Sequence, residues 1–319
     1  MEDPAPAPRL AVVVLAWNCR IDALRCLDRL RPECRPGDAV ILVDNGSADG
    51  TADAVAARHP WAEVVRNRAN LGFAAGCNAG LRIALDRGFP FVLLLNPDAF
   101  PETGTLDLLV EHLRRNPRVG AVQPLLVRAD DPRTIDGSGQ ELTRCLGARD
   151  AGMGRPVAEA PGRAGPVFGA CAAAAALRSD ALREAGLLDE GFFLLLEDMD
   201  LMFRLRMAGW EVHLLPAARV HHRRGISAGP TPGLPDRRRR FLLHRNTLAL
   251  ALRYAPAGRM LRRAPDLALR AAKAALLATG QRDARCLPLW LASLRRRPGA
   301  RRAMAERGVD RWFPGGPVG

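Results

Sequence analysis

The 319-residue sequence has few aromatic side chains and almost no lysine. Aromatic residues make up 5% of the chain, with a single Tyr, and Lys273 is the one lysine among 47 basic residues. Scarce aromatics leave few platforms on which nucleic-acid bases could stack. Apolar runs of about 18 residues, the length needed to cross a bilayer, are also missing. We therefore expect a globular protein that has no transmembrane helix and does not bind nucleic acid.

Cysteine pairs at metal-binding spacing are absent too. No C-x-x-C pair occurs among the seven cysteines, which lie at positions 19, 26, 34, 77, 145, 171 and 286. This scatter predicts reduced thiols in a cytoplasmic protein, with neither a zinc site nor a disulfide framework. Glu2 and Asp3 precede the first apolar stretch, and no small-residue cleavage site follows it. We therefore predict no secretory signal.

Charge is distributed unevenly along the chain. Residues 236–319 carry 20 Lys and Arg against 5 Asp and Glu, whereas residues 1–235 carry 27 against 29. The sequence thus predicts a near-neutral body, residues 1–235, and a basic helical extension, residues 236–319. A basic segment with Leu and Ala on one side could lie on an anionic membrane surface. It could equally pack on the body as a helical subdomain.

The first half of the sequence alternates strand-like and helix-like segments. Apolar runs such as LAVVVLAW, AVILVD and FVLLLN alternate with helical segments of about 8 to 15 residues, which predicts βαβ units and a mainly parallel sheet. After a further helix and the strand VGAVQPLLV, residues 129–165 are rich in Gly, Pro, Arg and Asp and predict an irregular insertion. A strand ending near Leu177 and a helix capped by Ser179 or Asp180 follow.

Oxygen-bearing side chains follow the most apolar strand. Phe91–Leu95 has no polar alternation, as expected for a strand covered on both faces, and it ends at Asn96, Pro97 and Asp98. Ligands of open α/β sheets bind beyond the carboxyl ends of the strands. Asn96 and Asp98 could therefore face one cation such as Mg²⁺ or Mn²⁺, or one ribose. A simple turn that ends the strand is the alternative.

Two further motifs admit both a structural and a functional interpretation. Asp44 and Asn45 end the second strand, where they could contact a nucleotide or cap the next helix. In NLGFAAGCNAG, glycines 72, 76 and 80 share one helical face, which allows close approach to a ligand or to another backbone. The first strand is followed by WNCRID rather than G-x-G-x-x-G, which argues against a nicotinamide enzyme.

An acidic cluster and a histidine pair occur late in the body. Glu197, Asp198 and Asp200 stand where a helix begins, and crowding of like charges could raise one pKa toward that of a general base. Stabilisation of the helix dipole is the structural alternative. His221 and His222 end a strand and are possible metal ligands.

Taken in order, these motifs resemble those of glycosyltransferase family 2 enzymes of GT-A fold, especially the bacterial rhamnosyltransferase-like branch. The similarity covers about residues 10–228 and rests on VVVLAWN, ILVDNGSADGT, NLGFAAGCNAG, FVLLLNPDA, VGAVQPLL, GAC, LLDEGFFLLLEDMDLMFRLRMAGW and ARVHHRRGIS. It implies an α/β, Rossmann-like catalytic domain. It also implies inverting transfer of a sugar from a nucleotide-diphosphate donor, first of all dTDP-rhamnose, to a glycan or lipid-linked acceptor at the inner face of the cell membrane.

The resemblance also implies roles for individual residues. Asp198 would be the base, with Glu197 beside it, and Asp98 with His222 would hold Mg²⁺ or Mn²⁺; His221 is the alternative ligand. Contacts to the nucleotide would come from Asn18, Asp44, Asn45, Asn70, Gly72 and Asn96. The donor-sugar or acceptor region would include Trp17, Gly169, Asp200 and His221. Arg223 and Arg224, where the family has small glycines, could meet an anionic group or remain solvated.

Two other functions stay open at this level. A sugar-phosphate nucleotidyltransferase also combines a nucleotide, a metal and an α/β sheet, but it would normally carry a glycine-rich basic loop where WNCRID stands. A nucleic-acid-binding protein could use the basic extension, although the basic residues there accompany an apolar helical face.

Overall fold

A computed structural model of the chain describes residues 6–144, 147–224, 236–278 and 300–314. Some features of the sequence analysis lie outside these residues, namely Cys145, Cys286 and the GIS end of the last matching motif. The expected domain boundary at 235/236 lies at their edge. The predicted alternation of the first half is confirmed. Its elements are β1 (Leu10–Ala16), α1 (Arg20–Leu30), β2 (Asp38–Asp44), α2 (Thr51–Arg58), β3 (Glu63–Arg66), α3 (Phe73–Asp86), β4 (Phe91–Leu95), β5 (Ala99–Pro101), α4 (Thr105–Arg115) and β6 (Val119–Arg128).

The second half of the body contains more strands than the sequence suggested. The expected irregular insertion, 129–165, includes three short strands, two of which form a separate hairpin. The elements are β7 (Ile135–Gly137), β8 (Gln140–Leu142), β9 (Ala148–Asp150), β10 (Gly165–Pro166), β11 (Ala174–Arg178), α5 (Ser179–Ala185), α6 (Glu197–Met207) and β12 (Glu211–His222).

The central sheet is mixed rather than parallel throughout. Its strands follow the order β10-β12-β6-β11-β4-β1-β2-β3, with β5 added beside β12 and β7 beside β6. Strands β3, β2, β1 and β4 are parallel neighbours, and β6 is parallel to β12. Strand β11 joins these two groups because it pairs with β4 on one side and with β6 on the other, and it runs antiparallel to both. The predicted βαβ units therefore account for the half of the sheet that contains β4, β1, β2 and β3.

Two layers of helices cover the sheet. Helices α1, α2 and α4 bury their apolar side chains on one face, and α3, α5 and α6 bury theirs on the other. The residues of β1 alternate between the two cores: Val12 and Val14 join one, and Ala11 and Val13 join the other. This two-sided burial explains why the strand is apolar at every position.

Close packing explains most of the predicted glycine face on α3. A Cβ at Gly76 or Gly80 would collide with Leu15 or Val13 of β1, so both glycines bring the helix against the sheet. The predicted cap of α5 is wrong. The helix begins at Ser179 without a side-chain cap, and the Ser179 hydroxyl instead donates to the carbonyl of Phe89 at 2.5 Å.

The basic extension is helical where it is described. It contains α7 (Asp236–Tyr254), α8 (Ala257–Arg262), α9 (Ala264–Ala278) and a helix at Ala300–Glu306. Helix α7 packs on the body: Arg253 and Tyr254 both bond to Oδ1 of Asp200, at 2.6 and 2.7 Å. In the described parts of the chain, no helix is both long and apolar enough to cross a membrane.

Candidate active site

A cavity of about 350 Å³ opens beside the carboxyl ends of β1 and β4. It brings together residues that are far apart in the sequence, as the ligand rule for α/β sheets predicts. The sequence-predicted residues that line it are Trp17, Asn45, Asn70, Gly72, Asn96, Glu197, Asp198 and His222. Residues of the insertion, including Gln140, Arg149 and Asp150, close one side.

Asn45 and Asn70 shape the loop before α3. Asn45 accepts a hydrogen bond from the backbone amide of Leu71 at 3.1 Å and donates to Asn70 at 3.1 Å and to the carbonyl of Gly72 at 3.1 Å. Asn70 in turn accepts from the amide of Gly72 at 2.8 Å. These bonds fix the loop so that Asn70 and Gly72 form part of the cavity wall.

Two predicted nucleotide residues lie beside the cavity rather than on its wall. Asn18, which has a positive φ of 49°, accepts a hydrogen bond from the amide of Ala48 at 2.8 Å. Asp44 is buried and accepts from the amide of Ser47 at 3.3 Å. Both side chains therefore organise the turn after β2, and α2 begins without a side-chain cap.

The acidic pair Glu197–Asp198 occupies the first turn of α6. Both side chains are buried, and this burial raises the pKa of each carboxyl above its usual range. Oδ2 of Asp198 accepts from the Gln140 amide at 2.9 Å and from the backbone of Ala172 at 3.3 Å. Oδ1 accepts from the amide of Met199 at 2.8 Å. The carboxylate is thus held in one orientation at the cavity wall.

Gln140 is a site residue that the sequence did not reveal. It lies in the insertion, where no periodicity or motif distinguishes it from its neighbours. Its backbone pairs with Gly169, whose amide donates to the carbonyl of Gln140 at 3.3 Å, and this bridge directs the side chain at Asp198. Gly169 itself packs against Gln140 and Met202. The resemblance implied that Gly169 lies near the donor sugar or the acceptor. In the structure, Gly169 supports the position of Gln140.

His222, which lines the cavity, and Asp98, which is buried beside it, form a second polar group. Nε2 of His222 lies 3.5 Å from Oδ1 of Asp98, and Nδ1 lies 2.8 Å from Oδ2 of Asp136. Burial lowers the pKa of His222, but the hydrogen bond with Asp136 and the negative charge of Asp98 outweigh it and raise the pKa to about 9. Arg224 pairs with Asp136 and Asp150. Its charge is therefore neutralised inside the site rather than solvated.

The two histidines of the motif point to opposite sides of β12. His222 is 4% exposed and lines the cavity, whereas His221 faces Glu102 at 2.8 Å. Among these two, His222 is therefore the one that can serve a ligand in the cavity. His221 does not line the cavity.

Asp200 also lies away from the cavity. It is fully buried and pairs with Arg204 at 2.8 Å and with Arg253 at 2.6 Å. Because Asp198 and Asp200 are two apart on a helix, their side chains leave α6 in different directions. We assign Asp200 a structural role at the contact between body and extension.

The residues present fit a divalent cation that is completed by substrate. No group of three His, Cys, Asp or Glu side chains is arranged around one point in the described residues. Mg²⁺ and Mn²⁺ sites commonly use one or two protein ligands, with waters and substrate phosphates supplying the rest. The buried Nε2 of His222, which makes no hydrogen bond to the described residues, and the nearby Asp98 carboxylate supply such a pair.

Comparison with known proteins agrees with this geometry. The model of glycosyl transferase family 2 matches residues 11–186, more than half of the chain. The N-acetylglucosaminyl-diphospho-decaprenol L-rhamnosyltransferase of Mycobacterium tuberculosis, strain CDC 1551 / Oshkosh, is 31% identical over 223 residues. That alignment covers 61% of this chain and 69% of the relative, and the protein of strain H37Rv matches equally.

Solved structures share the fold at low sequence identity. GalNAc-T7 with UDP, GalNAc and Mn²⁺ matches with a TM-score of 0.60 and 12% identity, over 78% of this chain and 48% of that one. The mannosyltransferase PcManGT from Pyrobaculum calidifontis, in complex with GDP-Man and Mn²⁺, matches with a TM-score of 0.56 and 23% identity, over 96% and 86%. The chain therefore belongs to glycosyl transferase family 2 and is a glycosyltransferase of GT-A fold.

Proposed function

We propose that this enzyme is a metal-dependent, inverting glycosyltransferase that uses a nucleotide-diphosphate sugar and a lipid-linked glycan acceptor. The observation that carries the proposal is the buried carboxylate of Asp198 at the cavity wall, with its raised pKa. A single base of this kind suffices for inversion, because no covalent glycosyl intermediate has to form.

Asp198 is the proposed base. The acceptor hydroxyl attacks the anomeric carbon while Asp198 takes its proton, and the bond from that carbon to the phosphate oxygen breaks. The electron pair of the broken bond leaves with the nucleoside diphosphate. Glu197 is buried next to Asp198, and burial together with the negative charge of Asp198 raises the pKa of Glu197 to about 8.

Asp98 and His222 would hold the divalent cation. When bound, such a cation neutralises the charge that develops on the departing diphosphate. Asp136 bonds to the far nitrogen of His222 and so fixes the ring orientation, as carboxylates behind metal-binding histidines usually do. Two of the structural relatives contain Mn²⁺, which supports a divalent cation in an enzyme of this fold.

The rhamnosyltransferase relative suggests the substrate classes. Its name describes L-rhamnose transfer to an N-acetylglucosaminyl-diphospho-decaprenol, so dTDP-L-rhamnose is our first candidate donor. The cavity supports an amphiphilic acceptor, because Leu194, Leu195 and Leu243 form an apolar wall next to Arg239. Such a wall suits the lipid portion, and an arginine suits its phosphate.

The extension provides a surface for membrane contact. Leu269 and Leu276 of α9 are 55% and 70% exposed and lie seven residues apart, on one helical face with Lys273. Exposed leucines next to basic side chains suit an anionic lipid surface. We propose that this face attaches the enzyme peripherally to the membrane that carries its acceptor.

A thermal-shift panel tests the donor and the metal together. The ligands are dTDP, UDP, GDP, ADP and NAD, each with Mn²⁺ or with EDTA. Ligand at about a hundred times its dissociation constant stabilises the folded protein by about 2.7 kcal/mol, which a melting curve resolves. We expect a rise that requires Mn²⁺ and favours dTDP.

Other results of the panel have distinct meanings. A metal-dependent rise with UDP alone would retain the glycosyltransferase and replace the rhamnose donor. A rise that persists in EDTA would contradict the metal assignment. No rise with any nucleotide would contradict the donor site itself.

A further inference from the structure

The segment before the acidic pair has an unusual backbone. Phe193, Leu195 and Leu196 adopt positive φ angles of 63°, 73° and 69°, although none of them is glycine. Residues 193–196 line the cavity and lead directly into Glu197. Large side chains keep such angles only where the surrounding structure holds the backbone in place.

Helix α7 supplies that support through one amide. Nδ2 of Asn246 lies 3.1, 2.8 and 2.6 Å from the carbonyl oxygens of Phe192, Leu194 and Leu195, which share its two hydrogens. Asn246 is 1% exposed, so these bonds do not compete with water. Three carbonyls of the strained segment thus converge on a single side chain from the extension.

Arg245 completes the attachment. Its guanidinium donates to the carbonyls of Gly191 at 2.9 Å and Phe192 at 2.6 Å. Its Nε donates to Oδ1 of Asn246 at 2.8 Å. Because Oδ1 accepts from Arg245, the amide nitrogen of Asn246 is left facing the segment.

The same segment contacts the nucleotide side of the cavity. The carbonyl of Phe193 accepts from the amide of Phe73, at the start of α3, at 2.5 Å. The ring of Phe193 packs against Gly72. Residues 192–196 therefore lie between α3 on one side and α7 on the other, with the acidic pair at their end.

We propose that Asn246 and Arg245 are positioning residues for catalysis. They hold residues 192–196 in the strained conformation that forms part of the cavity wall. This conformation also fixes the start of α6 and so the orientation of Asp198 in its first turn. The catalytic consequence rests on the proposed function, whereas the structural attachment does not. The basic extension is then part of the active-site scaffold, in addition to any role at a membrane.

The test combines backbone exchange with kinetics on the full-length protein. In Asn246→Ala, hydrogen exchange of the amides of residues 193–198 should become faster, because the carbonyls of the segment lose their donor. At a temperature well below the melting point of the variant, kcat should fall roughly tenfold to a hundredfold, since small displacements of reacting groups cost this much. Arg245→Lys should shift both quantities in the same direction by less.

Thr247→Val is the matched control. Thr247 is the next residue, is 2% exposed, and its hydroxyl bonds at 2.8 Å to the Leu243 carbonyl within its own helix. This variant should leave both the exchange and kcat unchanged. Unchanged exchange in both test variants would overturn the attachment, and faster exchange at normal kcat would overturn the catalytic role. If the parent enzyme transfers no sugar, the proposed function fails and the exchange result still decides the attachment.

Discussion

At the scale of single residues, Asp198 combines two opposing influences. Burial raises its pKa, whereas the backbone amides of Ala172 and Met199 and the side chain of Gln140 lower it by bonding to the charged form. The outcome is a raised pKa, which makes the carboxylate a stronger base than an exposed aspartate. A base must be deprotonated, so the rate of transfer should rise with pH through this pKa.

Replacing the base should abolish transfer without unfolding the protein. Asp198→Asn keeps the shape of the side chain but cannot take a proton, so we expect kcat to fall by about 10²–10⁴-fold. The nucleotide-induced shift in melting temperature should persist. Asp180→Asn, at an exposed aspartate paired with Arg183, is the control and should have normal kcat. Near-normal turnover in Asp198→Asn would refute the assignment.

Gln140 should affect the pKa of Asp198. Removing its amide in Gln140→Ala takes away a donor that stabilises the carboxylate, so the pKa of Asp198 should rise further. The acidic limb of the profile of kcat/KM against pH should then move to higher pH. Ser138→Ala is the control from the same insertion, because its hydroxyl bonds to the Ala151 carbonyl and to no other group among the described residues. An unmoved limb in Gln140→Ala would show that Gln140 does not act on the base.

At the scale of elements, the segment before α6 depends on Gly72 as well as on α7. Gly72 has φ 88° and ψ 170°, a combination that is essentially restricted to glycine. A Cβ there would lie 2.6 Å from the carbonyl oxygen of Phe193. Any larger residue must therefore displace either the start of α3 or the wall of the cavity.

Gly72→Ala should be costly for this reason. We expect a loss of about 1–3 kcal/mol in the free energy of unfolding, measured by denaturant titration, together with lower kcat. Gly88→Ala at the other end of α3 is the control, since Gly88 has φ 75° and a Cβ added there would meet no atom within 4 Å. Equal losses in both variants would indicate that contact with Phe193 contributes nothing.

Hydrophobic patterns in short stretches of sequence predicted the strands and helices of the first half of the chain. The apolar run of β4 and the helix at Thr51–Arg58 were predictable because burial on both faces and short helical periodicity are written in adjacent residues. The site residues Asp198 and His222 came from motifs at the ends of such elements. Gln140 and Asn246 were not predictable as site residues. Each acts through contacts with residues far along the chain, and their neighbours in sequence carry no sign of these partners.

At the scale of the whole molecule, buried charges join the extension to the body. Arg253 pairs with Asp200 at 2.6 Å and with Asp189 at 2.8 Å, and its side chain is 3% exposed. Removing one member of a buried ion pair typically costs about 3–5 kcal/mol, because the remaining charge stays buried. An exposed pair on the same helix contributes far less.

Two arginines of α7 should therefore differ sharply. Arg253→Met should lower the free energy of unfolding by about 3–5 kcal/mol. Arg240→Met, which removes an exposed pair with Asp236, should change it by less than about 1 kcal/mol. Chemical denaturation of both variants measures the difference. Similar stabilities would mean that the buried pair does not hold the extension.

The exposed face of α9 should determine membrane affinity. The parent protein should sediment with vesicles containing anionic lipid at low salt, and Leu269→Glu with Leu276→Glu should weaken this binding. Leu108→Glu, at a 41% exposed leucine of α4, should leave it unchanged. Failure of the parent protein to sediment would contradict peripheral attachment through this face.

The contacts of α7 also bear on how such enzymes can diversify. The match to the family model ends at residue 186, ahead of the acidic pair, His222 and α7. An exchange of C-terminal segments between relatives at residue 235 would transplant Asn246, Arg253 and Tyr254 onto a foreign body. These side chains bond to the Phe192 carbonyl and to Asp200 of the body. A hybrid protein would therefore keep these bonds only if its body places the same groups in the same positions. Catalytic body and α7 are thus expected to be inherited as one unit, together with the segment whose Met304, Val309 and Phe313 are buried in the same core.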